Sequence, residues 1–448
     1  MKLSGLILRV SLTAMVLLSL VFSALIWRNP SRLGRTETDS TLKTTQATGA
    51  SAQAAYLLVP TSAYYQAAGG KVQLLQPDAS STGQIHETIH DWQLKKINRS
   101  VQLSTSALAA LLTQQETLQL TFGAPVTFKA FNANYFATPV KNAPDFQFNR
   151  MIIDLSGSKP KLTLVEDNTR MSRTATLGKA PLAGLQAYLK KTRPSGLPVQ
   201  EKRLNGKLMT FYTQGIAVSP YAFLLDQQTA NHFVSLLMPT TSTAAVDSRE
   251  LGDESIYTLG DVRLTLNSSS NVVQFEDPAK TVASKALTTA LTKSEAAIAK
   301  LNLQGITAMH YFGYEKGSRT VSYRSYAQGL PIFNNLDNGV VQTSSTSSGL
   351  TMNFSLDNLT VAIPTSQAKK QLPSTQQVLS ELATAGYAQS TIQNICLGYY
   401  WRPQTASSQV VDLTPSYFVE INGQYRRYTE WLTPDTAPAN RGAVQIIQ

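Results

Sequence analysis

The sequence predicts an α+β protein, with a single N-terminal transmembrane helix followed by three small units that contain mainly antiparallel sheets. The first observation is that residues 10–27 carry no charged side chain. The second is that short downstream segments alternate polar and apolar residues, a pattern typical of strands with one buried face. The third is that amphipathic helical segments interrupt these strands without a long parallel alternation of strands and helices. The sequence also contains no phosphate-binding glycine loop.

The N-terminal run VSLTAMVLLSLVFSALIW, residues 10–27, predicts a membrane-spanning helix because it is just long enough to cross a bilayer. Trp27 and Arg28 at its end are typical of interfacial anchors. A cleaved signal peptide is the alternative, with Val21 and Ser23 as the small residues before the cut. The apolar run continues beyond that point, which favours an uncleaved anchor.

Charge and cysteine content predict where the chain resides. Basic residues occur on both sides of the apolar run, so they do not decide its orientation. Only 15% of the residues are charged and Cys396 is the only cysteine, which favours residues 1–9 in the cytoplasm and the bulk of the chain outside the cell. The net charge of +11 is scattered, with no basic block interleaved with aromatic residues, so no nucleic-acid partner is expected. Apolar neighbours predict that Cys396 is a buried strand thiol.

A stripe of small and polar residues runs along the predicted membrane helix. Ser11, Met15, Ser19 and Ser23 recur every four residues on a helix otherwise rich in Leu, Val and Phe. Small residues allow another helix to approach closely, so this stripe predicts a partner-binding surface within the membrane. The alternative is that the hydroxyls only bond back to carbonyls of their own helix.

Composition divides the rest of the chain. Residues 28–55 are small and polar without periodicity, which predicts a flexible stalk. Three α+β units are predicted over residues 56–170, 171–280 and 281–432, the last one richest in strands. A flexible tail is predicted at 433–448.

The first unit is predicted to contain two helices and then strands. The helices fall around 85–97 and 105–116, and the strand segments read LQLTFG, RMIIDL and KLTLVED. The second unit begins with the helix PLAGLQAYLKKT, followed by the strands KLMTFYTQG and YAFLL. Its next helix, DQQTANHFVSLLM, has Asp226 as the predicted N-cap. A meander of strands then covers SIYTLGDVRLTLNSSSNVVQFEDP.

The third unit is predicted to open with the helix TKSEAAIAKLNL, in which Thr292 and Glu295 have the spacing of a capping box. The segment RTVSYRSYAQGLPIF alternates and then breaks at Gly329. In LTMNFSLDNLTVAI, two strand runs are separated by an Asp-Asn pair. The helix STQQVLSELATAG is predicted to stop at Gly386. A final hairpin, SYFVEINGQYRRY, is predicted to turn at Asn-Gly, a strong hairpin signal.

One short motif raises the hypothesis of a zinc metallopeptidase. Residues His86-Glu87-Thr88-Ile89-His90 match the pattern in which two histidines on one helix face bind zinc and the glutamate acts as general base. A catalytic zinc also needs a third protein ligand and an open position. The downstream sequence lacks the local pattern that known metallopeptidases show around a third ligand.

The pattern around this motif favours a chance occurrence. Ile85, Ile89 and Trp92 form a stripe that faces the core, which predicts that His86 and His90 lie at its solvated edge. The motif is followed directly by a charged aspartate. No nucleophile elbow of the type G-x-S-x-G occurs. No catalytic residue, metal ligand or cofactor is therefore predicted, and the metallopeptidase remains the alternative.

The remaining histidines and an aromatic cluster also have structural interpretations. His232 is predicted at the core edge of a helix and His310 on a strand. The segment GYYWRP, residues 398–403, predicts a strand at a sheet edge, with a carbohydrate-binding platform as the alternative. A wall-binding surface module that uses the basic exterior is a further hypothesis.

Several phrases of the sequence resemble the YycH family of Gram-positive bacteria. They are LQLTFGAPVTF, FNRMIIDLSG, VSYRSYAQGLPIFN and VVDLTPSYFVEINGQYRRY, together with the short anchor and the polar stalk. The C-terminal phrases are also similar to YycI, a sister family. The resemblance implies a non-enzymatic, single-pass membrane regulator without a cofactor. It further implies association, largely through the membrane helices, with YycI and with the sensor histidine kinase WalK (YycG). This kinase controls cell-wall metabolism.

Overall fold

The structure is a computed structural model that describes residues 57–69, 72–75, 81–193, 196–239, 245–303, 308–363, 365, 367–404 and 407–433. The predicted membrane helix at 10–27, the stalk and nearly all of the predicted tail lie outside these residues. None of the helices within the described residues combines the length and apolar character needed to cross a bilayer.

The N-terminal half builds a ten-stranded sheet in which every pair is antiparallel, in the order β10-β9-β2-β1-β5-β6-β7-β8-β3 with β4 beside β8. Its strands are β1 Ser62–Gln66, β2 Val72–Leu74, β3 Leu94–Ile97, β4 Val101–Gln102, β5 Thr117–Thr127, β6 Gln147–Asp154, β7 Lys161–Glu166, β8 Met171–Leu177, β9 Leu197–Leu204 and β10 Lys207–Tyr212. The helices of this half are α1 Ser81–Ile89, α2 Thr105–Leu112, α3 Phe128–Asn134 and α4 Ala183–Thr192.

The C-terminal half builds a fourteen-stranded sheet and a two-stranded one. The strands are β11 Ile216–Val218, β12 Tyr221–Gln227, β13 Asp247–Leu251, β14 Glu254–Leu259, β15 Val262–Asn267, β16 Val272–Asp277, β17 Met309–Glu315, β18 Thr320–Ala327, β19 Leu330–Phe333, β20 Val340–Thr346, β21 Gly349–Ser355, β22 Asp357–Ile363, β23 Lys370–Leu372, β24 Ile392–Gln404, β25 Ser407–Ile421 and β26 Gln424–Arg427. The helices are α5 Ala230–Leu237, α6 Leu287–Leu301, α7 Thr375–Thr384, the 3₁₀ turn Gln389–Thr391 and α8 Tyr428–Leu432.

The large C-terminal sheet has the order β13-β14-β15-β16-β21-β20-β18-β19-β24-β25-β12-β22, with β17 on β18 and β26 on β25. Its strand pairs within the described residues are antiparallel except for β19 with β24. The small sheet pairs β11 with β23. Antiparallel sheets with interspersed helices confirm the predicted α+β class.

Two predicted helices of the first unit extend too far. The segment predicted as a helix at 85–97 is helical only to Ile89, and residues 94–97 form β3, which pairs with β8. Backbone pairing with a distant strand therefore overrides the amphipathic pattern. The helix predicted to reach Glu116 ends at Leu112, and Glu116 itself adopts a φ of 53°, which a continuing right-handed helix excludes.

Two predicted helix caps are wrong because both helices begin at other residues. Asp226 belongs to β12, and Thr229 caps α5 by accepting a hydrogen bond from the His232 amide. Helix α6 begins at Leu287 because its apolar stripe extends further towards the N-terminus. Thr292 consequently lies inside the helix, where its hydroxyl donates to the carbonyl of Thr288 at 2.9 Å.

The predicted turns agree better with the structure. Asn422 and Gly423 have φ values of 52° and 73° between β25 and β26, as a type I′ hairpin requires. Gly386 follows α7 with a φ of 94°. Gly329 lies in the turn between β18 and β19. The pair Asp357-Asn358 opens β22, and the break between the two strands is instead at Leu356.

Hydrogen bonds connect strands that are distant in the sequence, and core packing connects the N-terminal and C-terminal halves. Strand β2 pairs with β9 through Leu74 and Leu197. A large apolar cluster joins residues of the N-terminal sheet, such as Leu118, with residues of α6 and the C-terminal sheet, such as Leu291 and Phe354. The division of residues 56–432 into three units stays a prediction.

Candidate functional site

The two histidines of the H-E-x-x-H motif both point at one backbone carbonyl. His86 Nε2 lies 2.8 Å and His90 Nδ1 3.1 Å from the carbonyl oxygen of Tyr135. A carbonyl oxygen only accepts hydrogen bonds, so a ring nitrogen bonded to it must carry the proton and not a lone pair for a metal. Within the described residues, no group of three His, Cys, Asp or Glu side chains could hold a metal ion.

His86 is more deeply buried than the sequence predicts. We expected both histidines on a solvated helix edge, but His86 is only 7% exposed and its ring lies 4.3 Å from that of Tyr135. Burial lowers the pKa of His86. Helix α3 and the residues after it cover this edge, which the sequence of α1 alone does not reveal. The motif is therefore a packing and hydrogen-bonding feature of the core.

The aromatic segment 398–403 also differs from its prediction. Its strand, β24, pairs with β19 on one side and β25 on the other, so it lies inside the sheet and not at an edge. Trp401 is buried in an apolar cluster that includes residues of both large sheets. Sheet order, which depends on distant strands, decides this point.

A cavity between the two large sheets is the candidate functional site. Its volume is about 420 Å³, and it is lined from one side by residues of β1, β5, β6, β9 and β10. The other side is lined by residues of β17, β18, β19 and β24. The sheets meet nearby, where the hydroxyl of Tyr311 donates to the carbonyl of Pro125 at 3.1 Å.

A buried arginine lies in the N-terminal wall of this cavity. The Arg150 guanidinium donates to Asp167 through Nε and Nη2, to Glu201 through Nη1 and Nη2, and to Gln119 through Nη1. These bonds occupy all five of its N–H donors. Burial acts to lower the pKa of Arg150, but Glu201 and Asp167 outweigh it and raise this pKa. Asn149 also donates to Asp167, so the cluster is fully connected.

A second buried arginine lies behind the opposite wall. The Arg324 guanidinium lies over the rings of Phe312 and Phe333, at 4.8 and 4.2 Å from their centroids. Its Nη1 donates to the carbonyl of Ile332 at 2.7 Å, whereas Nε has no acceptor. Burial lowers the pKa of Arg324, and the exposed Asp337 carboxylate offsets this in part, together with weaker contributions from Tyr425, Tyr326 and Cys396.

A thiol and two phenols of the cavity are neutral. Burial raises the pKa of the Cys396 thiol to about 12, and it also raises the phenol pKa of Tyr64 and Tyr326. Cys396 lies on a strand as predicted, but its side chain is only half-buried because it borders the cavity. These groups supply aromatic and weakly polar surface without charge.

Sequence reasoning missed this site. Arg150, Asp167 and Glu201 lie on three different segments, and no local motif connects them. One signal was present, since Arg150 directly precedes the apolar residues MII of a buried strand, and a charge there requires partners. The predicted partner-binding residues Ser11, Met15, Ser19 and Ser23 lie outside the described residues, so that prediction stays open.

Two family models match the chain. The model described as "YycH protein, N-terminal domain" matches residues 7–175, and "YycH protein, C-terminal domain" matches residues 213–435. The chain belongs to the YycH family. This confirms the resemblance read from the sequence. Members of the family are regulatory accessory proteins of the WalK/YycG sensor-kinase system and not known enzymes.

Two solved structures are similar to the chain to different degrees. The crystal structure of YycH from Bacillus subtilis is similar to the chain with a TM-score of 0.66 and 16% identity, covering 84% of this chain and 97% of that one. At this identity the match shows a shared fold. An uncharacterized protein from Eubacterium rectale matches with a TM-score of 0.29 and 9% identity, covering 48% of this chain and 82% of that one. No curated protein matches the chain.

Proposed function

We propose that this YycH-family protein is anchored in the cell membrane by residues 10–27 and modulates the WalK/YycG sensor histidine kinase from outside the cell. It acts together with a YycI-like membrane protein and thereby controls cell-wall metabolism. The observation that supports this proposal is the pair of family models, of which the N-terminal one begins at residue 7 and includes the predicted anchor.

Co-purification from membranes tests the proposed complex. The tagged full-length chain should retain the kinase and a YycI-like protein in mild detergent, and deletion of its gene should change the output of the kinase. A chain that retains neither protein, together with unchanged kinase output on deletion, would contradict the proposal. The sign of the regulation follows from which state of the kinase the complex binds more tightly.

The anchor is the proposed contact with the partner helices. Interhelical hydrogen bonds in membranes average only about 0.6 kcal/mol, and close packing of small residues contributes more. Steric blocking by Ser19→Leu together with Ser23→Leu should therefore weaken kinase pull-down at equal protein level. The matched control, Val16→Leu with Phe22→Leu, changes positions outside the stripe and should not weaken it. Full association with a scrambled poly-leucine anchor would place the contact in the ectodomain.

A further inference from the structure

The cavity between the sheets carries opposite excess charge on its two sides. In the N-terminal wall, the carboxylates of Asp167 and Glu201 share one guanidinium, that of Arg150, which leaves one negative charge in excess. Behind the C-terminal wall, Arg324 contributes a positive charge, and no carboxylate within the described residues forms an ion pair with it. Lys207 also lines the cavity and Arg203 lies near it, but both side chains are exposed, so water and salt screen their charges.

The negative side has acceptor capacity left over. Each carboxylate oxygen of Glu201 accepts a single hydrogen bond from Arg150, at 2.7 and 3.0 Å. Each oxygen of a carboxylate can accept about two hydrogen bonds, so Glu201 retains free positions. Its side chain lines the cavity and keeps 12% exposure. A protonated amine that enters the cavity therefore finds a partly desolvated carboxylate with room to bind it.

The positive side is incompletely satisfied as well. Arg324 is a 92% buried cation whose Nε lacks an acceptor, and Phe312, on whose ring it stacks, lines the cavity. A buried charge without a direct ion-pair partner raises the potential of the adjacent cavity because the surrounding protein screens it weakly. The field across the cavity thus favours a ligand with an anionic end towards Arg324.

The size and the remaining surface restrict the ligand further. A volume of about 420 Å³ lies in the range of small-molecule sites. Neutral aromatic side chains, among them Tyr64 and Tyr326, also line the cavity. We propose that the cavity binds a small zwitterion of the amino-acid or short-peptide class, with its amine on Glu201 and its carboxylate towards Arg324.

Isothermal titration of the full-length protein in detergent tests this site, with the dipeptide Ala-Phe as the probe. Saturable binding is expected, and N-acetylation should weaken it roughly tenfold or more because it removes the charged donor. C-terminal amidation should also weaken it, by less, because Arg324 acts from behind the wall. Equal binding of the free and acetylated dipeptides, or no saturable binding, would overturn the proposal.

Two variants assign the two ends of the ligand. Glu201→Gln keeps the shape of the side chain and should remove most of the effect of N-acetylation. Arg324→Met should remove the effect of amidation and leave that of acetylation. Glu254→Gln, at an exposed glutamate of β14, is the matched control and should change neither. All three variants should unfold cooperatively. If they still distinguish the free dipeptide from its acetylated and amidated forms as the unsubstituted protein does, the assignment of the two ends of the ligand is wrong. The measurement requires no kinase, so its outcome is separate from that of the proposed function.

Discussion

Arg150 and Arg324 are both almost completely buried, but the two sheets satisfy them in different ways. Arg150 donates all its N–H groups to two carboxylates and an amide. Arg324 lies over two phenylalanine rings, and within the described residues it donates to the backbone carbonyl of Ile332. The comparison teaches that burial of a charge does not by itself determine its importance for stability. What determines it is the number of groups that lose their partner when the charge is removed.

The largest expected effect is that of Arg150→Met. The substitution leaves the buried Asp167 and the partly exposed Glu201 without a counter-ion, which costs about 3–5 kcal/mol of unfolding free energy. Urea denaturation followed by circular dichroism measures this loss. A loss below about 1 kcal/mol would show that water replaces the guanidinium, and the contrast between the two arginines would then fail.

A buried carboxyl in the C-terminal half gives the next largest effect. Glu295 in α6 is 6% exposed, its Oε1 has no hydrogen-bond partner, and burial raises its pKa from 4.5 to about 8. Its contribution to stability is fully present below pH 4.5 and is lost as the pH rises towards 8, because the folded state must then bury an ionised carboxylate. The nearby Tyr323 phenol has its pKa raised well above 10 and does not titrate in this window.

Glu295→Gln should remove this pH dependence. At pH 9 the variant should be more stable than the unsubstituted protein by roughly 1–3 kcal/mol, whereas at pH 5 the two should be similar. Thermal unfolding over a series of pH values measures the difference, with Glu254→Gln as the exposed control. Parallel pH profiles for Glu295→Gln and the unsubstituted protein would mean that Glu295 finds a partner when it ionises.

Two helix caps provide a matched pair of smaller effects. Ser104 caps α2 by accepting from the amide of Ala107 at 3.0 Å, and Ser374 caps α7 by accepting from that of Gln377 at 3.3 Å. Ser104→Ala and Ser374→Ala should each cost about 1 kcal/mol in chemical denaturation. Similar costs for the two caps would show that both halves respond alike to a local change. The difference between the two arginines would then come from their tertiary partners. A cost that differs between the caps by more than about 1 kcal/mol would point to unequal stability of the two halves.

The smallest effect is expected for Arg324→Met. The substitution loses two cation–π contacts and one hydrogen bond but also removes an unpaired buried charge, so the changes nearly cancel to within about 1 kcal/mol. Urea denaturation beside Arg150→Met gives the direct comparison. A loss as large as that for Arg150→Met would contradict the contrast between the two arginines.

The two arginines also show how far sequence reasoning reaches. The strands that carry them, RMIIDL and RTVSYRSYAQ, were both predicted from alternation and apolar runs. Their partners were not predicted, because Asp167 and Glu201 lie 17 and 51 positions from Arg150. The H-E-x-x-H motif shows the same limit, since the carbonyl of Tyr135 that binds both histidines lies 49 positions from His86.

The sequence by itself determined the α+β class, the family and local features such as the hairpin turn at Asn422 and Gly423. These depend on backbone preferences and on neighbours within a few residues, and both can be read from consecutive letters. The tertiary structure alone decided that β24 lies inside a sheet, that His86 is buried and that Arg150 is paired while Arg324 is not. Such properties depend on which distant segments meet in space, and burial and ion pairing are set by those meetings and not by the local chain.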